Sequence, residues 1–369
     1  MFVTELELRD FRVYGELRHT FGSGTTVLVG ENGHGKTTVL EAVAWAATGA
    51  SFRRVTDAAL VREGADQAIL RMGVREADGR EQLLEAEINA VGRNRVLLNH
   101  RVLTRDRDRA SFVRVTVFAP DDLDLVKGAP VRRREYLDGL LASSAPRYGA
   151  ARTDFDRVLR QRNALLRAGR RERPDPATLS VFDEQLVAAG RELVRGRLLL
   201  TGRLIPHLTS GYRALAGPDH EVAGRYEAEW HDGTLTGDPD EIDAALRAAL
   251  VRRREQEWAR GVTLVGPHRD DWALVVNGLD ARTRASQGEQ RALALALRLS
   301  GHALVTALVG EPPVLLLDDV FSELDGYRTD ALVASLPAGQ TIITTATDVP
   351  DAIDVEQRIV LRDGGRQPA

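Results

Sequence analysis

The run Gly30-Glu31-Asn32-Gly33-His34-Gly35-Lys36-Thr37 constrains this chain more than any other feature. It satisfies the pattern G-x-x-x-x-G-K-[ST] in full. Its flanks also fit: Thr25 to Val29 is short, apolar and β-branched, as a central strand should be, and Lys36 to Thr48 reads as a buried helix. Glycines let successive backbone N–H groups curl around a phosphate, and the helix N-terminus adds its dipole. Lys36 sets a point charge beside the β- and γ-phosphates, and Thr37 offers a hydroxyl to Mg²⁺. Lys and Arg together number 50, yet only Lys36 and Lys127 are Lys. One of two surviving ammonium groups therefore stands where a planar guanidinium would not fit the same nest.

A second element is the very apolar run Val314 to Leu317, which ends in Asp318-Asp319. A buried strand does not end in two carboxylates without a partner. Beside a phosphate loop that partner is Mg²⁺. Asp318 then holds the metal through water, and Asp319 faces the γ-phosphate and polarises an attacking water. A strand end followed by an N-cap aspartate is the plain alternative. The third element, Ser286-Gln287-Gly288-Glu289-Gln290, opens a helix over 287–309. It reads equally as an anion site at a helix N-terminus or as a serine N-cap. Ser322-Glu323-Leu324-Asp325 follows shortly after Asp319.

Composition narrows the class. At 369 residues the chain has a prior of roughly two domains. With no Cys it has no disulfide, thiolate nucleophile or Cys-ligated metal. The start MFVTELELRD is charged from residue 5 and reads as no signal peptide, and no apolar run near 18 residues reads as a membrane span. A cytoplasmic protein with no membrane partner is the expectation. Strands are expected at 2–8, 25–29, 67–77, 81–90, 94–98, 113–118, 219–231, 262–265, 272–276, 314–317, 341–345 and 357–362. Helices are expected at 36–48, 150–169, 178–216, 239–259, 287–309 and 326–336. This pattern is one α/β domain, 1–122 and 261–369, split by a helix-dominated insertion at 123–260 with short antiparallel helices.

A phosphate loop near the N-terminus, an S-x-G-x-Q helix, a strand ending in paired acids and an S-x-L-D turn together resemble an ABC-type P-loop ATPase head, a mixed sheet with flanking helices. Phe11-Arg12-Val13-Tyr14, Ser51-Phe52-Arg53, Phe118-Ala119-Pro120-Asp121-Asp122-Leu123, Gly266-Pro267-His268-Arg269-Asp270-Asp271 and Ser286 to Arg291 narrow it. They resemble the bacterial RecF family, recombination-repair ATPases related to SMC proteins. The resemblance implies ATP and Mg²⁺ as cofactors, with Gly30, Asn32, Gly33, Gly35, Lys36, Thr37 and Thr38 around the nucleotide in cis. It implies an ATP-dependent homodimer with two sandwiched nucleotides, in which Ser286, Gln287, Gly288, Gln290 and Asp325 touch the partner's ATP in trans. It also implies duplex or gapped DNA and RecR/RecO-type repair proteins as partners, and a nucleoid-associated location. Arg12 and Arg53 are candidates for phosphate contact or plain surface arginines, and His268 is a site residue or a packed core histidine. Asp270-Asp271 would hold Arg269 in an ion pair. Relatives' Gln ligand to Mg²⁺ is replaced by Ala119-Pro120, the paired acids are Asp-Asp, and Thr347 stands near the expected switch histidine. All three departures imply weak hydrolysis.

The net charge is −4, so DNA contact needs local patches. Residues 93–114 carry seven Arg against two Asp, and residues 150–174 carry eight Arg against two Asp and one Glu. The candidates are Arg105, Arg107, Arg109, Arg160 and Arg162, contacting duplex backbone, with a solvated Arg-rich face as the alternative. An ABC transporter subunit or another SMC-like ATPase is the competing class.

Overall fold

A computed structural model describes residues 1–103, 109–169 and 176–361. In chain order, the strands and helices begin with β1 (Phe2–Phe11), β2 (Tyr14–Thr20), β3 (Thr25–Val29), α1 (Lys36–Thr48), β4 (Gln67–Arg75), β5 (Glu81–Asn89), β6 (Arg95–Leu98) and β7 (Arg101–Val102). Then come α2 (Arg109–Phe112), β8 (Val115–Phe118), α3 (Asp124–Lys127), α4 (Pro130–Ser144), α5 (Pro146–Ala168), α6 (Pro176–Ala216), β9 (Val222–Glu227) and α7 (Pro239–Arg260). The chain continues through β10 (Asp271–Val276), β11 (Leu279–Asp280), α8 (Ala281–Arg284), α9 (Gln287–Val309), β12 (Val314–Asp318), α10 (Gly326–Ala334), β13 (Thr341–Thr345) and β14 (Val355–Val360).

Two compact units result: Met1–Asp122 with Ala214–Gly217 and Leu295–Ala369, and Leu123–Arg213 with Pro218–Ala294. The first unit holds a parallel sheet, β14-β3-β13-β12-β8, and an antiparallel sheet, β2-β1-β4-β5-β6-β7. Along β4, Ala68, Leu70, Met72 and Val74 are buried at every second position, the period of a sheet with one core face. They join Leu6, Leu8, Val43 and Trp45 in a single apolar core, which fixes α1 as a rigid element.

The second unit has its own core, built from Phe155, Val158, Leu186, Val194, Trp230, Ile242, Leu246 and Val265. Short helices, α3 and α8 with four residues each, stand beside long ones: α5 has 23 residues and α6 has 41, a rod of about 60 Å. It also contains a three-stranded sheet, β11-β10-β9. Residues 261–294, expected with the ATPase domain, belong here, because β10 pairs with β9 along its whole length. The strand expected at 262–265 does not form. The Thr263 and Leu264 N–H groups donate instead to the Asn163 and Glu257 side chains, both at 2.7 Å.

Among the described residues one helix, α9, is long and apolar enough to cross a membrane, with a mean hydropathy of 1.7 over its most apolar window. That window is 61% buried inside the protein, as a core helix is, although the sequence reading had found no apolar run of such length. The first 30 residues read as strands, and β2 falls among them. It lies at a sheet edge, where only Tyr14 and Leu17 need to be buried.

Candidate nucleotide site

The site is set by parallel register. β13 lies between β3 and β12, and Thr344 is opposite Leu28 on one side and Asp318 on the other. Phe118 at the end of β8 is opposite Leu317. The C-terminal ends of four strands therefore converge, which is where open α/β sheets hold ligands. They bound a cleft of about 450 Å³ lined by Val13, Asn32, Gly33, Gly35 to Thr38, Phe52 and Arg53, Ala119 to Asp121, Asp318, Asp319 and Thr344; Gly30, at the start of the phosphate loop, is not in the lining.

The loop adopts the shape its glycines allow. Gly33 and Gly35 have φ of 89° and 86°. A Cβ on Gly35 would lie 2.5 Å from the Tyr14 hydroxyl, which itself donates to the His34 carbonyl. Lys36 is almost fully buried, and its ammonium donates to the carbonyls of Gly30 (2.6 Å) and Glu31 (2.9 Å). Among the described residues no carboxylate pairs with it, so its charge is left for an anion.

Thr37 donates to Asp318 Oδ1 at 2.8 Å, and Thr344 donates to the same oxygen at 2.7 Å. Burial pushes the Asp318 carboxyl up from its ordinary range, the two threonine hydroxyls oppose that, Asp319 adds to it and Arg53 opposes it. No cluster of three or more acids or histidines that could hold a metal occurs among the described residues. The donor set of one carboxylate and hydroxyls fits Mg²⁺, which takes few protein ligands and completes its shell with phosphates and water. Asp319 has a left-handed backbone, φ 50°, and its N–H donates to the Thr344 carbonyl and hydroxyl, both at 3.1 Å. A non-glycine residue in that region is uncommon and is retained where the surroundings over-determine it.

Several expected residues stand elsewhere. Arg12 does not line the cleft. It makes a paired contact with the fully buried Glu41, at 3.0 and 2.8 Å. Arg53 does line it. Thr347 is exposed beyond β13 and is not in the lining; Thr344, which the sequence reading passed over, is. Position 344 is recognisable only through its register with Asp318. Asp122 was likewise unassigned as a site residue: it accepts from Ala119 N–H at 3.0 Å and from Arg298 at 2.6 Å, holding the β8 end in place.

In the second unit, Ser286 and Glu289 form a capping box. The Ser286 N–H and hydroxyl both donate to the Glu289 carboxylate, at 2.8 and 2.7 Å, and the Glu289 N–H returns to the Ser286 hydroxyl at 3.3 Å. Ser286 and Gln287 are exposed and Gly288 half-buried. Gln290, expected to offer its backbone in trans, is buried, and its side-chain amide donates to the Ala281 and Arg282 carbonyls. Asp325, in the first unit, caps α10 by accepting from the Arg328 N–H at 2.9 Å, which with the Arg328 charge pulls its carboxyl below the usual range. Asp270 and Asp271 do not hold Arg269. Asp270 accepts from Trp230 and Tyr226, and Asp271 pairs with Arg133. His268, with its pKa lowered to about 4 mainly by burial, is a neutral histidine hydrogen-bonded to the Thr263 carbonyl.

The proposed DNA contacts fare unevenly. Arg105 and Arg107 lie outside the described residues. Arg109 is buried, lies 4.7 Å over the Trp45 ring and donates to the Trp45 and Ala46 carbonyls at the end of α1. Arg162 is fully buried and bonded to Asp183, Thr263 and Glu257. Neither can meet a phosphate backbone from there. Arg160 is exposed.

The chain matches the family described as the RecF/RecN/SMC N-terminal domain over residues 2–357. It is 45% identical to the DNA replication and repair protein RecF of Frankia alni, with 95% of each chain covered. Its identity to the RecF of Streptomyces avermitilis is 42%, with 96% of each covered. Among solved structures it is similar to the recombination mediator protein RecF with ATP in the RecFOR pathway, at a TM-score of 0.92 and 27% identity, covering 98% of this chain and 96% of that one. An Smc head domain with a coiled coil and joint from Pyrococcus yayanosii shares the fold at a TM-score of 0.58 and 14% identity, covering 98% and 96%.

Proposed function

The chain belongs to the RecF family of SMC-like ATP-binding proteins of DNA replication and repair, and from that premise we propose that it is an ATP-dependent DNA-binding clamp of recombinational repair. It binds ATP with Mg²⁺, dimerises head to head around two nucleotides, and binds duplex DNA near single-strand gaps. It hydrolyses ATP weakly, with DNA as the stimulus, and assists RecO/RecR-type partners in loading the recombinase, in the cytoplasm at the nucleoid. The observation that carries this reading is the convergence of the Lys36 ammonium with the Thr37–Asp318–Thr344 oxygen cluster at four strand ends.

Thr37 and Asp318 would hold Mg²⁺, which when bound neutralises phosphate charge. Lys36 and the loop N–H groups of Gly30, Asn32, Gly33, Gly35, Thr37 and Thr38 bind and orient the polyphosphate, and Arg53 adds charge from the cleft wall. Asp319, held rigid by Thr344, orients the attacking water. Its short side chain makes a poor reach for a base, which fits slow turnover. Asp319→Asn should lower single-turnover hydrolysis about a hundredfold while leaving ATP affinity within about twofold, so that the ATP dimer persists. Unchanged hydrolysis would remove Asp319 from the chemistry.

Ser286, Gln287, Gly288 and Asp325 complete the partner's site in trans. The test is light-scattering mass with Mg²⁺ alone, with Mg²⁺-ATP, and with Mg²⁺-ATP plus gapped duplex. A monomer that becomes a dimer with ATP, more completely with DNA, is expected; a monomer under all three conditions overturns the clamp. Ser286→Arg should retain ATP binding and lose the dimer, because an arginine at the exposed helix start obstructs a facing nucleotide. Dimers that persist in this variant would sink the trans assignment.

A further inference from the structure

Arg53 lines the nucleotide cleft from an exposed loop, and an exposed arginine on a loop is a poor ligand unless its backbone is held. The hold is a chain of polar contacts that begins in the interior. Glu41, on α1, is fully buried, and a buried carboxylate must be paired and hydrogen-bonded. Arg12 supplies the charge, through Nε at 3.0 Å and Nη2 at 2.8 Å. The left-handed backbone of Arg12, φ 54°, at the turn between β1 and β2, belongs to this arrangement. The buried Ser51 hydroxyl donates to Glu41 Oε1. A hydroxyl that donates to a carboxylate becomes a better acceptor, and Ser51 Oγ accepts the backbone N–H of Arg53 at 3.1 Å.

We propose that Ser51, anchored on the Arg12–Glu41 ion pair, is the positioning residue that holds Arg53 at the nucleotide cleft, so that polyphosphate affinity depends on a hydroxyl that touches no ligand. The inference rests on the nucleotide reading of the cleft. Ser51 acts only through Arg53. Arg53 lines the same cleft as Lys36, Thr37 and Asp318. Arg12, a candidate for direct phosphate contact, instead stands three contacts away from Arg53, through Glu41 and Ser51.

The experiment is a double-mutant cycle on the full chain, read as the Kd for mant-ATP with Mg²⁺, with thermal unfolding as a folding control. Ser51→Ala should weaken binding about tenfold, the equivalent of releasing one residue's backbone. Ser51→Thr, which keeps the hydroxyl, should restore it. In an Arg53→Ala background, itself weakened, Ser51→Ala should have no further effect. A loss of the same size in both backgrounds overturns the proposal, since it shows Ser51 acting on the fold and not through Arg53. Wild-type affinity in Ser51→Ala also overturns it. Lys36→Ala separates the two levels. If that variant binds as the wild type does, the nucleotide reading itself fails; if it loses binding while Ser51→Ala does not, only the positioning role fails. Glu41→Gln, which keeps an acceptor for Ser51 and removes the charge, should give an intermediate loss, and equality with the wild type would take the ion pair out of the chain.

Discussion

Lys36→Ala should weaken ATP binding about a thousandfold, roughly 4 kcal/mol, and abolish the proposed ATP-stabilised dimer. The size follows from what the ammonium does. It is nearly buried, bonded only to the neutral carbonyls of Gly30 and Glu31, and met by no carboxylate among the described residues. A phosphate that enters the loop gains charge-assisted hydrogen bonds that no other side chain of the loop can replace. The fold should survive: α1 is held by its apolar core, and the two carbonyls released belong to a half-buried and an exposed residue. The thermal midpoint should therefore stay within a few degrees while calorimetric ATP binding disappears. Lys36→Arg should fail to rescue, because the guanidinium is planar and larger than the space between those two carbonyls and the helix start. Wild-type calorimetric affinity in Lys36→Ala would refute the assignment of the loop.

How much of this was legible in the sequence depends on how local each signal is. The phosphate loop, α1 and the acid-tipped β12 were readable because glycine, lysine and apolar run lie within a few residues of one another. α9 was readable end to end from its periodicity and its serine start. Ser286 and Glu289 also stand at capping-box spacing, so the cap that the structure contains was visible beside the anion-site reading. Thr344 was not readable. Its value comes from inter-strand register, which places it between the loop strand and the acid strand, and nothing within β13 announces this. Arg12 was misplaced for the same reason: its partner Glu41 is 29 residues away on another element. The limit at 261 was misread because β10 looks like any α/β strand until its pairing with β9 is seen.

The arginine windows teach the complementary point, since a charge count says nothing about which guanidinium groups are already engaged. Of the second window, Arg152 pairs with Asp138 and Asp156, Arg157 with Asp154, and Arg162 with Asp183 and Glu257. Most partners lie on other elements, outside the window over which charge was summed. What is left for a phosphate backbone among its described residues is a sparser set that includes Arg160 and Arg167, both exposed. Any DNA surface in this region is narrower than the net charge implies.

Arg162→Ala should therefore destabilise the second unit by about 3–5 kcal/mol and not act as a DNA-contact variant. Arg162 is fully buried, and its three bonds tie α5 to Asp183 on α6, to Glu257 on α7 and to Thr263 after it, at 2.8, 2.6 and 2.9 Å. Truncation leaves Glu257, also fully buried, without its cation, and an uncompensated buried carboxylate is the costly outcome. Asp183 keeps Arg254 at 2.8 Å, which limits the loss on that side. Urea unfolding should show the midpoint falling with the loss in free energy, and any DNA-binding defect should track the unfolded fraction. Arg160→Ala is the contrast. It should leave stability within about 0.5 kcal/mol, and, if Arg160 meets a phosphate, it should lower the salt dependence of duplex binding by about one counterion. A stable Arg162→Ala variant that binds DNA weakly would reverse this assignment and return the buried guanidinium to the binding surface. The buried ion pairs require the other result: the same residue type, two positions apart on one helix, serves the fold at 162 and is exposed at 160, where its Nε donates, among the described residues, only to the Asp156 carbonyl of its own helix.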